Sequence, residues 1–177
     1  MEKLILKDGC ELIIRKANKK DCMKIIDCLF IIGRESDYLE FGDNQWNITT
    51  ENLEQFIQLI NNKPNSIMAI ALLNEEMVGL VSLSEGESSK SIHTGEFSIG
   101  VRKAYCGLGI GNFLIKFLIE WAKDTGIIKE IMLKVTSNNE DAIKLYKKYG
   151  FKEAGFQREI YPNGEPYDSV EMKLLIG

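Results

Sequence analysis

Three glycines spaced two apart, Gly107, Gly109 and Gly111, stand between a strand-like run and a long apolar stripe of helical period. Glycine tolerates positive φ and, lacking Cβ, lets a ligand touch the main chain. The first N–H groups of a helix have no internal acceptor, and that end carries about +0.5 of an elementary charge. Such a turn gathers the amides of Gly107, Leu108, Gly109, Ile110, Gly111 and Asn112 into a site for an anion such as a pyrophosphate. Each charge-assisted hydrogen bond contributes roughly 1.5–3 kcal/mol, so three or four hold a pyrophosphate without a basic side chain. A bare strand-to-helix turn uses the same glycines, and the turn alone leaves that reading open. A dinucleotide turn fits poorly, because Asn112 stands where Gly-x-Gly-x-x-Gly needs its third glycine. No Gly-Lys-Ser/Thr ending follows, which sets nucleoside triphosphates aside.

The other reactive side chains are sparse. Cys10, Cys22, Cys28 and Cys106 form no C-x-x-C pair, and His93 is the one histidine, so no metal site is expected. Free thiols in a reducing compartment are the simplest account of the cysteines. The net charge of -4 argues against nucleic acid, whose phosphates need a clustered basic surface. No apolar run approaches the ~20 residues that span a bilayer, and the N-terminus lacks signal-peptide features, so a cytoplasmic protein without a membrane partner is expected.

The elements that must position the glycine turn follow from periodicity. The 177 residues, 45% hydrophobic and 27% charged, suit one domain over 1–177. Leu12 to Arg15 reads as a strand, and Asn18 as a helix N-cap with Asp21 as its capping-box partner. Cys22, Ile25, Ile26 and Leu29 follow at helical spacing, and a second helix carries Leu53, Phe56, Ile57 and Ile60. Three strands come next, Ser66 to Leu73, Met77 to Ser84 and His93 to Val101, the first two joined by a tight turn at Asn74-Glu75-Glu76. Ile110, Phe113, Leu114, Phe117, Leu118 and Trp121 form the strongest helical stripe. A strand at Glu130 to Val135, a helix at Asn139 to Tyr149, and strands near Glu153 to Arg158 and Ser169 to Leu175 complete the order. The class is α/β (α+β), with helices on both faces of one twisted, mixed but mostly antiparallel sheet.

The window Cys106 to Gly111 resembles the coenzyme loop of the GNAT N-acetyltransferases, Arg/Gln-x-x-Gly-x-Gly/Ala, with Gly109 and Gly111 on the two required positions. Cys106 replaces the usual Arg or Gln, which removes one side-chain contact and leaves the main-chain cradle. About 27 residues later, Asn139, Ala142, Leu145, Tyr146, Lys148, Gly150 and Phe151 match the family's Asn-x-x-Ala-x-x-Leu-Tyr-x-Lys-x-Gly-Phe. Without the family, Ala142, Leu145, Tyr146 and Tyr149 are simply the inner face of a helix. The resemblance implies a GNAT fold of six to seven strands and four main helices, with the fourth and fifth predicted strands splayed apart. It also implies acetyl-CoA as co-substrate, its pantetheine bonded by the main chain near Ile99 and Val101 and held further by Asn139, with Tyr146 directed at the sulfur.

The implied reaction is direct attack of a neutral amine on a thioester. An alkyl ammonium of pKa about 10.4 is deprotonated only to a few parts in ten thousand at neutral pH, a deficit of roughly 4–5 kcal/mol. By resemblance Glu96 is the first candidate base, acting through water, and His93 the second; the strand's pattern leaves open which faces the cleft. Tyr146 is the implied proton source for the departing thiolate. The loop from Gly33 to Asn47, with Glu35, Asp37 and Tyr38, is where the family usually shapes its acceptor pocket, and acid beside aromatic suits a cationic amine. The acceptor is a small-molecule amine or a peptide N-terminus. Tyr161, Asn163-Gly164, Tyr167 and Asp168 resemble a hairpin that lines this pocket or a homodimer interface. A non-catalytic acyl-CoA-binding module, used for sensing or assembly, is the alternative.

Overall fold

In the computed structural model, which describes residues 2–6, 9–35, 49–85, 92–160 and 164–177, a capping motif opens the first helix. Asn18 accepts a hydrogen bond from the Lys20 amide at 2.9 Å, and its own N–H donates to the Asp21 carboxylate at 2.9 Å. Arg15 grips the same carboxylate with two 2.7 Å bonds. The cap starts a single 3-10 turn at Lys19–Asp21, which runs into α1 (Cys22–Glu35). A second helix, α2 (Thr50–Asn62), is capped by Thr49, whose hydroxyl accepts from the Asn52 amide.

The strands are β1 (Glu2–Ile5), β2 (Glu11–Lys16), β3 (Ile67–Leu73), β4 (Glu76–Glu85), β5 (Thr94–Val101), β6 (Glu130–Thr136), β7 (Lys152–Ile160) and β8 (Pro166–Leu175). Helix α3 (Ile110–Thr125) joins β5 to β6, and α4 (Glu140–Lys148) follows β6. All eight strands form one sheet in the order β1-β2-β3-β4-β5-β6-β8-β7. That is one strand more than the upper expectation. The addition is β1, four residues whose pattern is too short to read alone but which pair antiparallel with β2 from Glu2↔Ile14 to Ile5↔Glu11. Among the described strands, only β5 and β6 run parallel. The turn between β3 and β4 is two residues long, Asn74 and Glu75, both at positive φ (49° and 67°), and Glu76 already belongs to β4.

Two cores flank the sheet. On one face α3 buries Ile110, Leu114, Ile115 and Leu118 against Val78, Val81 and Leu83 of β4, and α4 adds Tyr146. Phe113, Phe117 and Trp121 of the expected stripe pack there only partly buried. On the other face Ile25 and Ile32 of α1 and Leu53 and Ile57 of α2 meet Met68, Ile70 and Leu80. Full burial of such a side chain stabilises by about 1.5–3 kcal/mol. The second core draws its buried members from α1, α2, β3, β4 and Ala17, and none from β5 to β8. That half of the sheet therefore keeps one face outside both cores.

Candidate active cleft

β5 and β6 pair at three positions only, Thr94↔Glu130, Gly95↔Ile131 and Glu96↔Met132. Past them β5 continues against β4, and β6 turns away against β8. The expected splay is present. A cleft of about 820 Å³ fills the gap, lined by Phe97 to Val101 on one side and Leu133 to Thr136 on the other. The β5 main chain facing the gap has no strand partner there, and such an edge can pair with an extended ligand. Ile99 and Val101 both lie on it.

Side chains alternate along a strand, so Glu96 and Phe97 take opposite faces of β5. Phe97 is 5% exposed and meets Tyr146 edge-on, with ring centroids 5.8 Å apart at 90°. Phe151 closes the aromatic cluster. Glu96 is exposed on the other face. Both faces contribute to the same cleft, so the opening passes through the sheet at this level. The Tyr146 hydroxyl has no hydrogen-bond partner among the described residues, and burial pushes its pKa up to about 12.

At the far end the cleft reaches Lys103 and Cys106. Gly107 and Gly109 have φ of +83° and +85°, the left-handed conformation that the turn requires. Gly109 is the N-cap of α3 and supplies no side-chain cap, so the first amides of a 16-residue helix stay available at the turn. Gly111 is already helical, and a Cβ there would meet Leu145 of α4 at 3.4 Å. Ile110 is buried in the core, whereas Leu108 is 42% exposed. Asn112 is engaged by α4: its Oδ1 accepts from Lys148 at 2.7 Å and its carbonyl from the Tyr149 hydroxyl at 3.0 Å. Asn139 lines the cleft and caps α4 by accepting from the Ala142 amide. Burial, reinforced by Glu35, raises the pKa of the Cys106 thiol, which opposes a thiolate at neutral pH.

The two base candidates part company. Glu96 lines the cleft and makes no hydrogen bond or ion pair among the described residues. His93 precedes β5, is exposed, and has Nδ1 2.7 Å from the Ile127 carbonyl, outside the cleft lining. Glu35, the last residue of α1, lines the cleft with its carboxylate on the Lys103 amide at 2.7 Å, beside the glycine turn. Asp37, Tyr38, Tyr161 and Asn163 lie outside the described residues. Tyr167 lines the cleft and donates to Glu159.

Sequence reasoning overlooked a polar group on the open face. Lys134 of β6 lies 3.0 Å from Glu159 of β7. The hydrogen bond to Glu159 is the main cause that raises the Lys134 pKa; burial opposes it, and Glu96 and Glu171 add to it. Thr136 and Ser169, opposite each other across β6 and β8, also line the cleft. Both are buried, at 8% and 3% exposure, and neither hydroxyl has a partner. The signal lay in the alternation of polar residues at 134 and 136 and at 167, 169 and 171, which acquires meaning only once the strands are registered. No set of three or more His, Cys, Asp or Glu capable of holding a metal occurs among the described residues. No helix among them is long and apolar enough to cross a membrane.

A family model described as Acetyltransferase (GNAT) family matches residues 34–151. Among solved structures, a GNAT-family acetyltransferase from Streptococcus pneumoniae superposes with a TM-score of 0.89 at 30% identity, covering 94% of this chain and 99% of that one. A Salmonella typhimurium protein solved with acetyl-CoA shares the fold at a TM-score of 0.82 and 22% identity, over 94% of each chain. An N-alpha-acetyltransferase of Sulfurisphaera tokodaii is 41% identical over 68 residues, which is 38% of this chain and 41% of that protein. The chain spans about half the length of the first curated relatives it matches.

Proposed function

The chain belongs to the acetyltransferase (GNAT) family, and on that premise we propose that it transfers an acetyl group from acetyl-CoA to an amine, either a small molecule or a peptide N-terminus. The observation that supports this reading is the cleft through the sheet, which holds Tyr146 and Glu96 and ends at Cys106, three residues before the uncapped N-terminus of α3 at Gly109. The residues suit the coenzyme. Amides from Gly107 to Asn112 take the pyrophosphate, and the unpaired edge at Ile99 and Val101 takes the pantetheine amides as an added strand does.

Bound acetyl-CoA supplies a thioester carbonyl whose C–S bond breaks as the amine nitrogen bonds to carbon. Glu96, exposed in the cleft, accepts the amine's proton through water and so offsets part of the roughly 4–5 kcal/mol needed to deprotonate it. Tyr146 remains a neutral phenol at neutral pH, because burial pushes its pKa up to about 12. Against a thiol of pKa near 8.5, full proton transfer from such a phenol is uphill by roughly 5 kcal/mol. Its hydroxyl therefore donates a hydrogen bond to the departing sulfur, and it passes on a proton only as it receives one from the nitrogen.

The test is release of free thiol on incubation with acetyl-CoA and a panel of amines, alongside calorimetry of CoA binding. Uptake of CoA with amine-dependent thiol release is the expected result. CoA uptake without thiol release from any amine favours a binding module, and absence of CoA uptake removes the reading altogether.

A further inference from the structure

Between the β5 edge at Val101 and the amides from Gly107 onward lies a short connection that the transfer chemistry above does not touch. It is a single 3-10 turn, Lys103–Tyr105. Its N-cap residue, Arg102, gives no side-chain hydrogen bond, so the Lys103 amide lacks a local acceptor. The acceptor comes from 68 residues away: Glu35, at the end of α1, takes the Lys103 N–H at 2.7 Å. A different carboxylate holds the rest of the turn. Glu76 of β4 accepts from the Arg102 guanidinium and, at 2.7 Å, from the Tyr105 hydroxyl. Glu76 thus fixes side chains of the connection, whereas Glu35 fixes its main chain. The last turn of α1 also bears on the end of β5, where a Cβ on Gly100 would meet Ile32 at 3.1 Å. With Ile32 against Gly100 and Glu35 on Lys103, the end of α1 touches the chain on both sides of Val101.

The charge of Glu35 works against its hydrogen bond. Burial is the main cause of the raised Cys106 pKa, Glu35 adds to it and Lys103 opposes it. The carboxylate's field is therefore felt one residue before Gly107. Arg102 is paired with Glu76, and Arg34 lies over the Phe30 ring. A diphosphate at the glycine turn meets the same repulsion from Glu35. We propose that Glu35 is a positioning residue for acetyl-CoA and not a recognition group for the amine: its hydrogen bond sets the connection between the pantetheine edge and the diphosphate turn, while its charge weakens the hold on the diphosphate. This rests on the coenzyme reading given above.

The two effects have opposite signs, and substitution separates them. Glu35→Gln keeps an oxygen for the Lys103 amide and removes the charge, whereas Glu35→Ala removes both. By calorimetry, Glu35→Gln should bind CoA at least about twofold more tightly than wild type, and Glu35→Ala at least about fivefold more weakly. The gain in Glu35→Gln should vanish in 1 M salt, where the Debye length is about 3 Å. A cycle on the donor completes the test. Arg102 has a ψ of 137°, which suits a residue before proline, and proline fits the first position of a helical turn. Lys103→Pro therefore deletes the N–H, while Lys103→Ala deletes the side chain and keeps the N–H. Glu35→Ala should weaken CoA binding in the Lys103→Ala background and not in the Lys103→Pro background. Glu35→Ser takes the place of Glu35→Ala should that variant lose its cooperative melt. Equal CoA affinities for Glu35→Gln and Glu35→Ala, a loss of the same size in both Lys103 backgrounds, or unchanged CoA affinity with a raised KM for the amine each overturns the proposal. A wild-type chain that takes up no CoA removes the coenzyme reading as well; CoA uptake indifferent to Glu35 removes this proposal alone.

Discussion

Within the same sheet every residue of β3 is buried, whereas none of β7 is. β3 lies between the α1–α2 layer and the α3 layer, so both of its faces meet apolar side chains. β7 is the last strand in the order and takes no part in the second core. The difference bears on where the proposed chemistry can sit. Residues enclosed on both faces are committed to packing, while the half of the sheet with an open face can present Glu96, Lys134 and Tyr167 to a ligand. The charged groups divide in the same way: Arg15 and Asp21 fasten a helix start, and Lys134 and Glu159 line a cleft.

The sharpest test of this division is Tyr146→Phe, which should lower kcat by about 10²–10⁴-fold. CoA affinity by calorimetry should stay within about twofold. Unchanged turnover removes Tyr146 from the chemistry. Ile70→Ala, at a fully buried β3 position, should cost about 2–5 kcal/mol in urea unfolding. A smaller loss would mean that the enclosed half packs loosely. For the open half, Glu96→Gln should reduce kcat by about 10²-fold, with His93→Gln within about twofold. The reverse order would make His93 the base.

A pH series separates the two kinds of charge. Burial disfavours the ionised Asp21, but the hydrogen bonds from Arg15 and the Asn18 amide outweigh it and hold the folded pKa below its usual value. Its contribution is complete above the unfolded pKa near 3.9 and disappears as pH falls through the lower folded pKa. Asp21→Asn should therefore lose about 1–3 kcal/mol at pH 7, and urea melts of the two proteins should converge as the solution is acidified. The smallest effect is expected at Phe156→Ser on β7, where the side chain is 72% exposed; unfolding should change by no more than about 0.5 kcal/mol. A loss matching that of Ile70→Ala would break the comparison.

Local pattern carried much of this. The α3 stripe, the glycine turn and the Asn18 cap are short-range signals, and each element appeared within a few residues of its expected bounds. β1 escaped because four residues hold too little pattern until β2 supplies partners. The choice between His93 and Glu96 escaped because it depends on where β5 begins and which face the cleft opens. Lys134, Thr136 and Ser169 escaped for a related reason, since alternating polar residues look like an ordinary solvated face until two strands fail to meet beside them.

The two-residue turn between β3 and β4 has a practical consequence. Asn suits the left-handed conformation, but Glu75 holds it at a cost of roughly 1–2 kcal/mol. Lys24 grips only the carbonyl of Glu75, a group that any residue provides. The hairpin tip is thus a reserve of stability that an engineer could release with glycine, at the opposite end of β4 from the register partner of Glu96.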